Sequence, residues 1–317
     1  MNRAGIRPAA PVGIVGLGAV GTSIGLALRA AGEATMGFDS STRHLEQSID
    51  RGAIGTRSHS LEAFSCCKAV FVAVPPGEVI GVSQGLLKIT NATVLDVASV
   101  KAEISNAIRD RRFVPSHPLR GTHLSGPSAG SKDLFMGGVW AVCPTPWTCP
   151  LRLTMAEDLI RRMGAEPLRL DPAEHDTVIA TTSHLPHVAA STLVHVLGTR
   201  DQEVARRMVG GGFLDTTRIA RANPSLWADI TLHNRAEVSG SIGAMVDRLE
   251  AIKEAIEAGD RDRVLAFFAD ACRLMEESLP PRPQAPAGPR KLRKSSRVFP
   301  VRTRRRRILA SELGGVH

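Results

Sequence analysis

The sequence predicts an α/β protein, a doubly wound parallel sheet followed by an all-helical region. Three observations carry that prediction. Short, near-continuous apolar runs alternate with amphipathic stretches through residues 12–165, the pattern of parallel strands covered by helices on both faces. The first run closes on a GxGxxG spacing before a helix-type segment, as in dinucleotide-binding domains of the Rossmann type. From Asp171 onward, long helical patterns follow one another and strand-type runs cease.

The strand-type runs are VGIVG (12–16), ATMGF (34–38), AVFVAV (69–74), ATVLDV (92–97) and GVWAVC (138–143). Between them lie helix-type segments at Ile24–Ala31, Gly77–Leu87 and Ser99–Arg109. The second region offers Ala173–Leu197, Gln202–Met208, Pro224–Asn234, Glu237–Ala258 and Arg261–Glu277. The expected organisation is a nucleotide domain at 1–167, a helical domain at 168–280 and a tail at 281–317, with no internal repeat.

Composition narrows the function classes. An apolar content of 43% and a charged content of 22% belong to a soluble globular protein. The start, MNRAGIRPAAPVGIVG, lacks the apolar core of a secretory signal, and no stretch is long and apolar enough to span a bilayer. The five cysteines form no CxxC pair, so neither a disulfide framework nor a zinc site is expected, and a reducing cytoplasm is. The net charge of +9 sits in the tail: Pro281–His317 holds eleven Lys/Arg against Glu312, leaving about −1 for the rest. A Pro-rich then Arg-rich segment without periodicity reads as a disordered, solvated appendage. Nucleic acid is expected as a partner only if that tail grips it.

The glycine motif comprises Gly16, Gly18 and Gly21. The first permits a tight turn, the second lets backbone approach a pyrophosphate, and the third lets helix and strand pack closely. Ala19 and Val20 lie between them at the helix start, whose free N–H groups suit phosphate. Asp39 ends the second run, 18 residues after Gly21, where a carboxylate can accept ribose hydroxyls and would repel a 2′-phosphate. NAD is therefore expected rather than NADP, although Arg43 lies close by. Val74, ending the third run, is expected with them among the cofactor-binding residues.

Three further stretches carry chemistry. VPSHPLRGTHLSG (114–126) places His117 between Ser116 and Pro118 in a stiff loop, with Arg120, Thr122 and His123 following. SHLPHVAAS (183–191) puts His184 and His187 three apart, with Ser183 as a helix cap and Pro186 in the first turn. Helix packing rivals a functional reading of His184, and HxxH without a third ligand is a poor metal signal, so no metal is expected. GGGFLDTTRIARANPSLWADI (210–230) combines a glycine-rich turn with Asp215, Arg218 and Trp227. An ion pair would account for Arg218, but a guanidinium beside close backbone also suits a carboxylate-binding pocket.

Taken in order with DVASVK (Asp96–Lys101), these motifs resemble those of the prephenate and arogenate dehydrogenases over about residues 12–280. The resemblance implies a Rossmann domain, a helical domain that dimerises, and NAD(P)-dependent oxidative decarboxylation of a cyclohexadienyl substrate on the route to tyrosine. It implies His117 as the catalytic histidine and Ser99 as a holder of the ring hydroxyl. Arg218, as partner of a substrate carboxylate, and His187 line the pocket, as do Thr122 and Asp176, while Trp227 matches a position that can reach the neighbouring subunit's site. An imidazole with a pKa near 6.5 suits proton acceptance from the ring alcohol. Arg120 and His123 depart from the family pattern near the substrate side chain, so a 4-amino-4-deoxy analogue of prephenate is an alternative substrate. No regulatory ACT domain is visible. A hydroxyacid or 6-phosphogluconate-type dehydrogenase is disfavoured, because the helical half offers only Lys253 as a catalytic lysine. From a different class, an NAD-sensing nucleic-acid binder using the tail is the remaining rival.

Overall fold

In the computed structural model, residues 10–121, 124–199 and 202–278 are described. The chain divides into two compact units, 1–251 and 252–317. The first opens with six parallel strands: β1 (Val12–Val15), β2 (Thr35–Phe38), β3 (Thr56–Arg57), β4 (Ala69–Val72), β5 (Thr93–Asp96) and β6 (Phe113–Val114). Their order is β3-β2-β1-β4-β5-β6, the doubly wound arrangement with its switch point between β1 and β4. Helices α1 (Ala19–Ala30), α2 (Thr42–Asp50), α3 (Pro76–Ile89) and α4 (Ala102–Ala107) connect these strands.

Apolar residues at successive strand positions fill two separate cores, one on each face of the sheet. In β4, Phe71 joins the cluster holding Ile14, Leu95 and Trp140. Val70 and Val72 join the cluster holding Val15, Val94 and Phe113. Successive strand residues point to opposite faces, so a strand buried on both sides needs an uninterrupted apolar run. That explains why these strands read as continuous.

GVWAVC behaves differently from the other four runs. It forms β8 (Val139–Val142), which does not join the six-stranded sheet; it lies in a second sheet of order β7-β8-β9 with β7 (Ser116–Pro118) and β9 (Glu166–Arg169). Among the described residues no helix long enough for a parallel crossover separates β7 from β8, and the pair is antiparallel. The helix α5 (Pro150–Arg162) then supplies the crossover to β9, which pairs parallel to β8. His117, expected in a loop, is thus a strand residue paired with Ala141.

The helical region continues with α6 (Pro172–Ile179), α7 (Leu185–Gly198), α8 (Gln202–Met208), α9 (Gly211–Thr217), α10 (Pro224–His233) and α11 (Arg235–Glu257). Between α6 and α7 the helix widens into a π turn at Ala180–His184. Ser183 is therefore inside a helical run and does not cap it. Pro186 supplies the reason: it lacks an N–H and its ring crowds the carbonyl one turn earlier, which opens the ladder locally. The glycine triplet also departs from expectation, since Gly211 and Gly212 begin α9 and Gly210 is its N-cap. First-turn residues leave their N–H groups unpaired within the helix, so glycine is tolerated there. In the second unit, α12 (Arg261–Ser278) has no buried residue.

Candidate active site

The nucleotide end is built by β1, α1 and β2. Gly16 adopts φ +89°, and a Cβ there would strike the Ala73 carbonyl. A Cβ on Gly21 would strike the Gly16 carbonyl, whereas one on Gly18 would enter open space. No side chain caps α1, whose first turn contains Ala19, Val20 and Gly21 and no acid, so its positive end stays available to an anion. Asp39 Oδ2 accepts the Leu17 N–H at 2.6 Å and Oδ1 accepts the Ser41 N–H at 2.8 Å. The carboxylate is thereby fixed beside the glycine turn with lone pairs to spare for hydroxyls. Val74, half-buried, packs against the core cluster under β4. These features fit a dinucleotide. His44 Nδ1 stands 3.6 Å from Asp39. Beside it opens a recess of about 310 Å³ lined by Arg43, His44, Gln47 and Ser125–Ser128, so the ribose end carries the Arg43 guanidinium as well as the acid.

The second cluster starts from Asp96, at the end of β5. Buried completely, it pairs with Lys101 Nζ, accepts the Ala98 N–H at 3.1 Å and accepts the Ser116 N–H at 3.1 Å. Ser116 Oγ donates to the Asp96 carbonyl at 2.7 Å and accepts from Trp140 Nε1 at 3.1 Å. The residue before His117 is therefore held from β5 and β8 together. Ser99, half-buried, lies in the turn between Asp96 and Lys101. Burial raises the Asp96 carboxyl above its usual value, with Lys101 opposing.

His117, 9% exposed, lies with Nδ1 2.9 Å from His175 Nε2. His175 Nδ1 lies 2.7 Å from Asp176 Oδ1. Asp176 also accepts the backbone N–H groups of Lys101 (2.7 Å) and Ala102 (2.8 Å) at the start of α4. Expected as a pocket residue, Asp176 is buried beneath His175 and joins α6 to the β5–α4 turn. Burial, then the neighbouring His175, Lys101 and His184, hold His117 well below the ordinary value of 6.5. The imidazole is neutral across the physiological range, whereas the sequence suggested a group poised near 6.5.

Asn234 extends the cluster: its Nδ2 donates to the Asp176 carbonyl at 2.9 Å and to His184 Nδ1 at 3.3 Å. Accepting at Nδ1 puts the His184 proton on Nε2, an atom that is buried and has no hydrogen-bond partner among the described residues. The His184 and Trp227 rings meet edge-on at 6.0 Å, and His187 stacks on Trp227 at 3.4 Å. Trp227 thus packs on histidines of its own chain. Burial lowers both His184 and His187 to about 4, with Arg218 adding to the depression at His187. Arg218 starts a short 3-10 turn after α9 and is exposed, without an ion pair among the described residues. Thr122 and His123 lie outside the described residues, and Arg120 rests against Gly138.

Contacts therefore run from His117 through His175, Asp176, Asn234, His184 and Trp227 to His187, and the Arg218 charge is felt at His187. Sequence reasoning missed His175 and Asn234. The adjacent His–Asp pair at 175–176 was the available signal for the first; Asn234 follows α10 with nothing local to mark it.

Comparison with known proteins gives a consistent result. Residues 24–168 match the family model described as prephenate dehydrogenase, nucleotide-binding domain, and residues 171–270 match prephenate dehydrogenase, dimerization domain. The chain is 27% identical to prephenate dehydrogenase of Bacillus subtilis, covering 81% of this chain and 73% of that one. It is 32% identical to probable prephenate dehydrogenase NovF of Streptomyces niveus, covering 80% and 71%. The solved prephenate dehydrogenase of Aquifex aeolicus with hydroxyphenyl propionate and NAD+ superposes with a TM-score of 0.79 at 30% identity, covering 86% of this chain and 99% of that one.

Proposed function

The chain belongs to the prephenate dehydrogenase family, and from that premise we propose that it oxidatively decarboxylates prephenate or arogenate using NAD+. The observation carrying this reading is the run of contacts from the His117 imidazole to His187, beside which the exposed Arg218 guanidinium makes its charge felt. When bound, NAD+ supplies the hydride-accepting nicotinamide; Gly16, Gly18, Gly21 and the start of α1 would hold its pyrophosphate, and Asp39 its ribose. Arg218 clamps a substrate carboxylate, since guanidinium matches carboxylate geometry through two parallel hydrogen bonds. His184 Nε2–H and His187 line the same pocket, with Ser99 at the ring hydroxyl.

Per turnover, a hydride leaves ring C4 and the C1–carboxylate bond breaks to give CO2, its electron pair entering the ring as it becomes aromatic. His117 accepts the C4 hydroxyl proton as carbonyl character develops, and returns it to the phenolic oxygen once CO2 has left. No proton is released overall. The products are 4-hydroxyphenylpyruvate or tyrosine, on the route to tyrosine. NADH absorbance with prephenate, arogenate and the 4-amino-4-deoxy analogue side by side tests this reading and selects the substrate. His117→Ala is expected to cost roughly 10²–10⁴-fold in turnover with NAD binding intact; full turnover in that variant refutes the role of His117.

We also propose that the nucleotide domain ends near residue 167, consistent with family matches that meet between 168 and 171. Residues 168–280 would form a homodimer. Exposed Leu193, Val196, Met208, Leu214 and Leu232 on α7–α10 offer the apolar surface that a second copy would cover, including a contribution of Trp227 to the partner's site. Light scattering at twice the chain mass is the expected result. Among the described residues no helix is long and apolar enough to cross a membrane, and five unpaired thiols support a reducing, cytoplasmic setting. The tail at 281–317 lies outside the described residues.

A further inference from the structure

We infer that His175 and Asp176 are positioning residues that hold His117 in a single tautomer, with its proton on Nδ1 and the free lone pair on Nε2. The inference rests on the reading of His117 as proton acceptor and adds how its acceptor atom is selected.

The hydrogen bonds run from Asp176 inward to His117. Its two oxygens already accept backbone N–H groups from Lys101 and Ala102, so the carboxylate is oriented by the start of α4 and acts as an acceptor. His175 Nδ1, 2.7 Å from Oδ1, is then the donor. A neutral imidazole carries one N–H, which leaves His175 Nε2 as an acceptor. His117 Nδ1, 2.9 Å away, must donate to it, and the lone pair of His117 falls on Nε2. Without such a partner, neutral imidazole distributes its proton between both nitrogens, and only part of the population presents the reactive atom.

Geometry makes the chain stiff as well as directional. The His117 and His175 rings cross at 71° with centroids 5.1 Å apart, so one ring cannot turn without breaking the hydrogen bond. His175 is 2% exposed and Asp176 3%, and water cannot replace either. From the far side, Ser116 is tied to Asp96 and Trp140. When His117 takes up a proton it becomes a cation, and Nδ1–H then points along the chain toward the Asp176 carboxylate. The other charged or titratable groups facing it are Lys101, itself paired with Asp96, and His184. His175, Lys101 and His184 oppose that cation, and the Asp176 carboxylate stands beyond His175 at the end of the chain.

Two measurements on the full chain test the inference. The first is the ¹⁵N–¹H correlation spectrum of ¹⁵N-histidine-labelled protein, with His117 assigned by comparison with His117→Asn. The wild type is expected to show His117 protonated at Nδ1 and bare at Nε2. His175→Phe should redistribute that proton toward Nε2, and His175→Gln, whose amide oxygen can accept from Nδ1, should restore the original tautomer. The second is steady-state kinetics with NAD+ and prephenate. His175→Phe should lower kcat roughly 10- to 100-fold, as loss of an orienting partner behind a functional group commonly does. KM should stay within about twofold, and His175→Gln should recover most of kcat. A wild-type His117 protonated at Nε2, or a tautomer unchanged by His175→Phe, overturns the inference. The spectra decide it whatever the kinetics give, whereas full turnover in His117→Asn would overturn only the assignment of His117 as the proton acceptor.

Discussion

Gly18 and Gly21 stand three residues apart in one motif, yet the space around them differs. A Cβ on Gly21 collides with the Gly16 carbonyl, while one on Gly18 meets nothing. Gly21→Ala should therefore disturb the turn itself, lowering the melting temperature as well as NAD+ affinity. Gly18→Ala should leave melting within a degree or so of wild type and weaken NAD+ binding at least tenfold, because the methyl group projects where phosphate must approach. Calorimetry with a fluorescence titration of NAD+ separates the two; unaltered affinity in Gly18→Ala would place the dinucleotide elsewhere. Arg218 has no ion pair to lose among the described residues. Arg218→Lys keeps the charge but cannot clamp a carboxylate through two parallel bonds. It should raise the KM for prephenate by about 10- to 100-fold, the range expected for a lost charge-assisted hydrogen bond, with melting unchanged. A normal KM would remove Arg218 from the pocket. For His117, the depressed pKa places loss of activity at lower pH than an ordinary histidine would give. A base works only when deprotonated, so kcat/KM should stay level from pH 8 to 7 and decline only below pH 6.5.

At the scale of elements, the turn between β5 and α4 is clamped twice: Asp96 grips it from its own strand and Asp176 from α6. Lys101 contributes its backbone to one clamp and its ammonium to the other. Lys101→Met would leave Asp96 buried without a counter-charge, a loss expected to destabilise by about 3–5 kcal/mol; urea unfolding measures it, and a change below 1 kcal/mol would mean the pair contributes little. Which elements were legible follows from the same physics. Strands β1, β2, β4 and β5 announced themselves because burial on both faces demands unbroken apolar runs. Strands β3, β6 and β7 are two or three residues long, and their partners define them rather than any periodicity. GVWAVC read as a strand, but its sheet depends on the chain reversal before it, which has no helical signature. The glycine triplet read as a turn because glycine carries no period, yet it starts α9. Among the site residues, those with a motif around them were readable, and the glycines, Asp39 and His117 all stand where a local pattern put them. His175 and Asn234 gain meaning only when α6 packs beside β7 and the end of α10 meets α6, through contacts between residues 58 apart.

For the molecule as a whole, the cluster creates a dependence on pH that no single element has. His117, His184 and His187 are all held below the ordinary histidine value, the last two at about 4, and burial is the first cause in each. In the unfolded chain all three titrate near 6.5. Between about pH 6.5 and 4, then, the unfolded state binds protons that the folded state refuses, and folding stability falls as pH falls. The contribution is fully present above 6.5 and is lost as pH drops toward 4. His184 is 1% exposed, and its shift alone corresponds to a ceiling on the order of 3 kcal/mol at pH 4. Asp96 works in the opposite sense, since burial raises its carboxyl and lets the folded chain take up that proton sooner. The net expectation is a melting temperature that is level from pH 8 to 7 and declines from 6.5 to 5, before most carboxylates titrate. His184→Phe removes one of the three groups and should flatten the decline by several degrees relative to wild type. An equally steep decline in that variant would mean that acid enters through some other part of the fold, and that His184 is solvated enough to titrate freely.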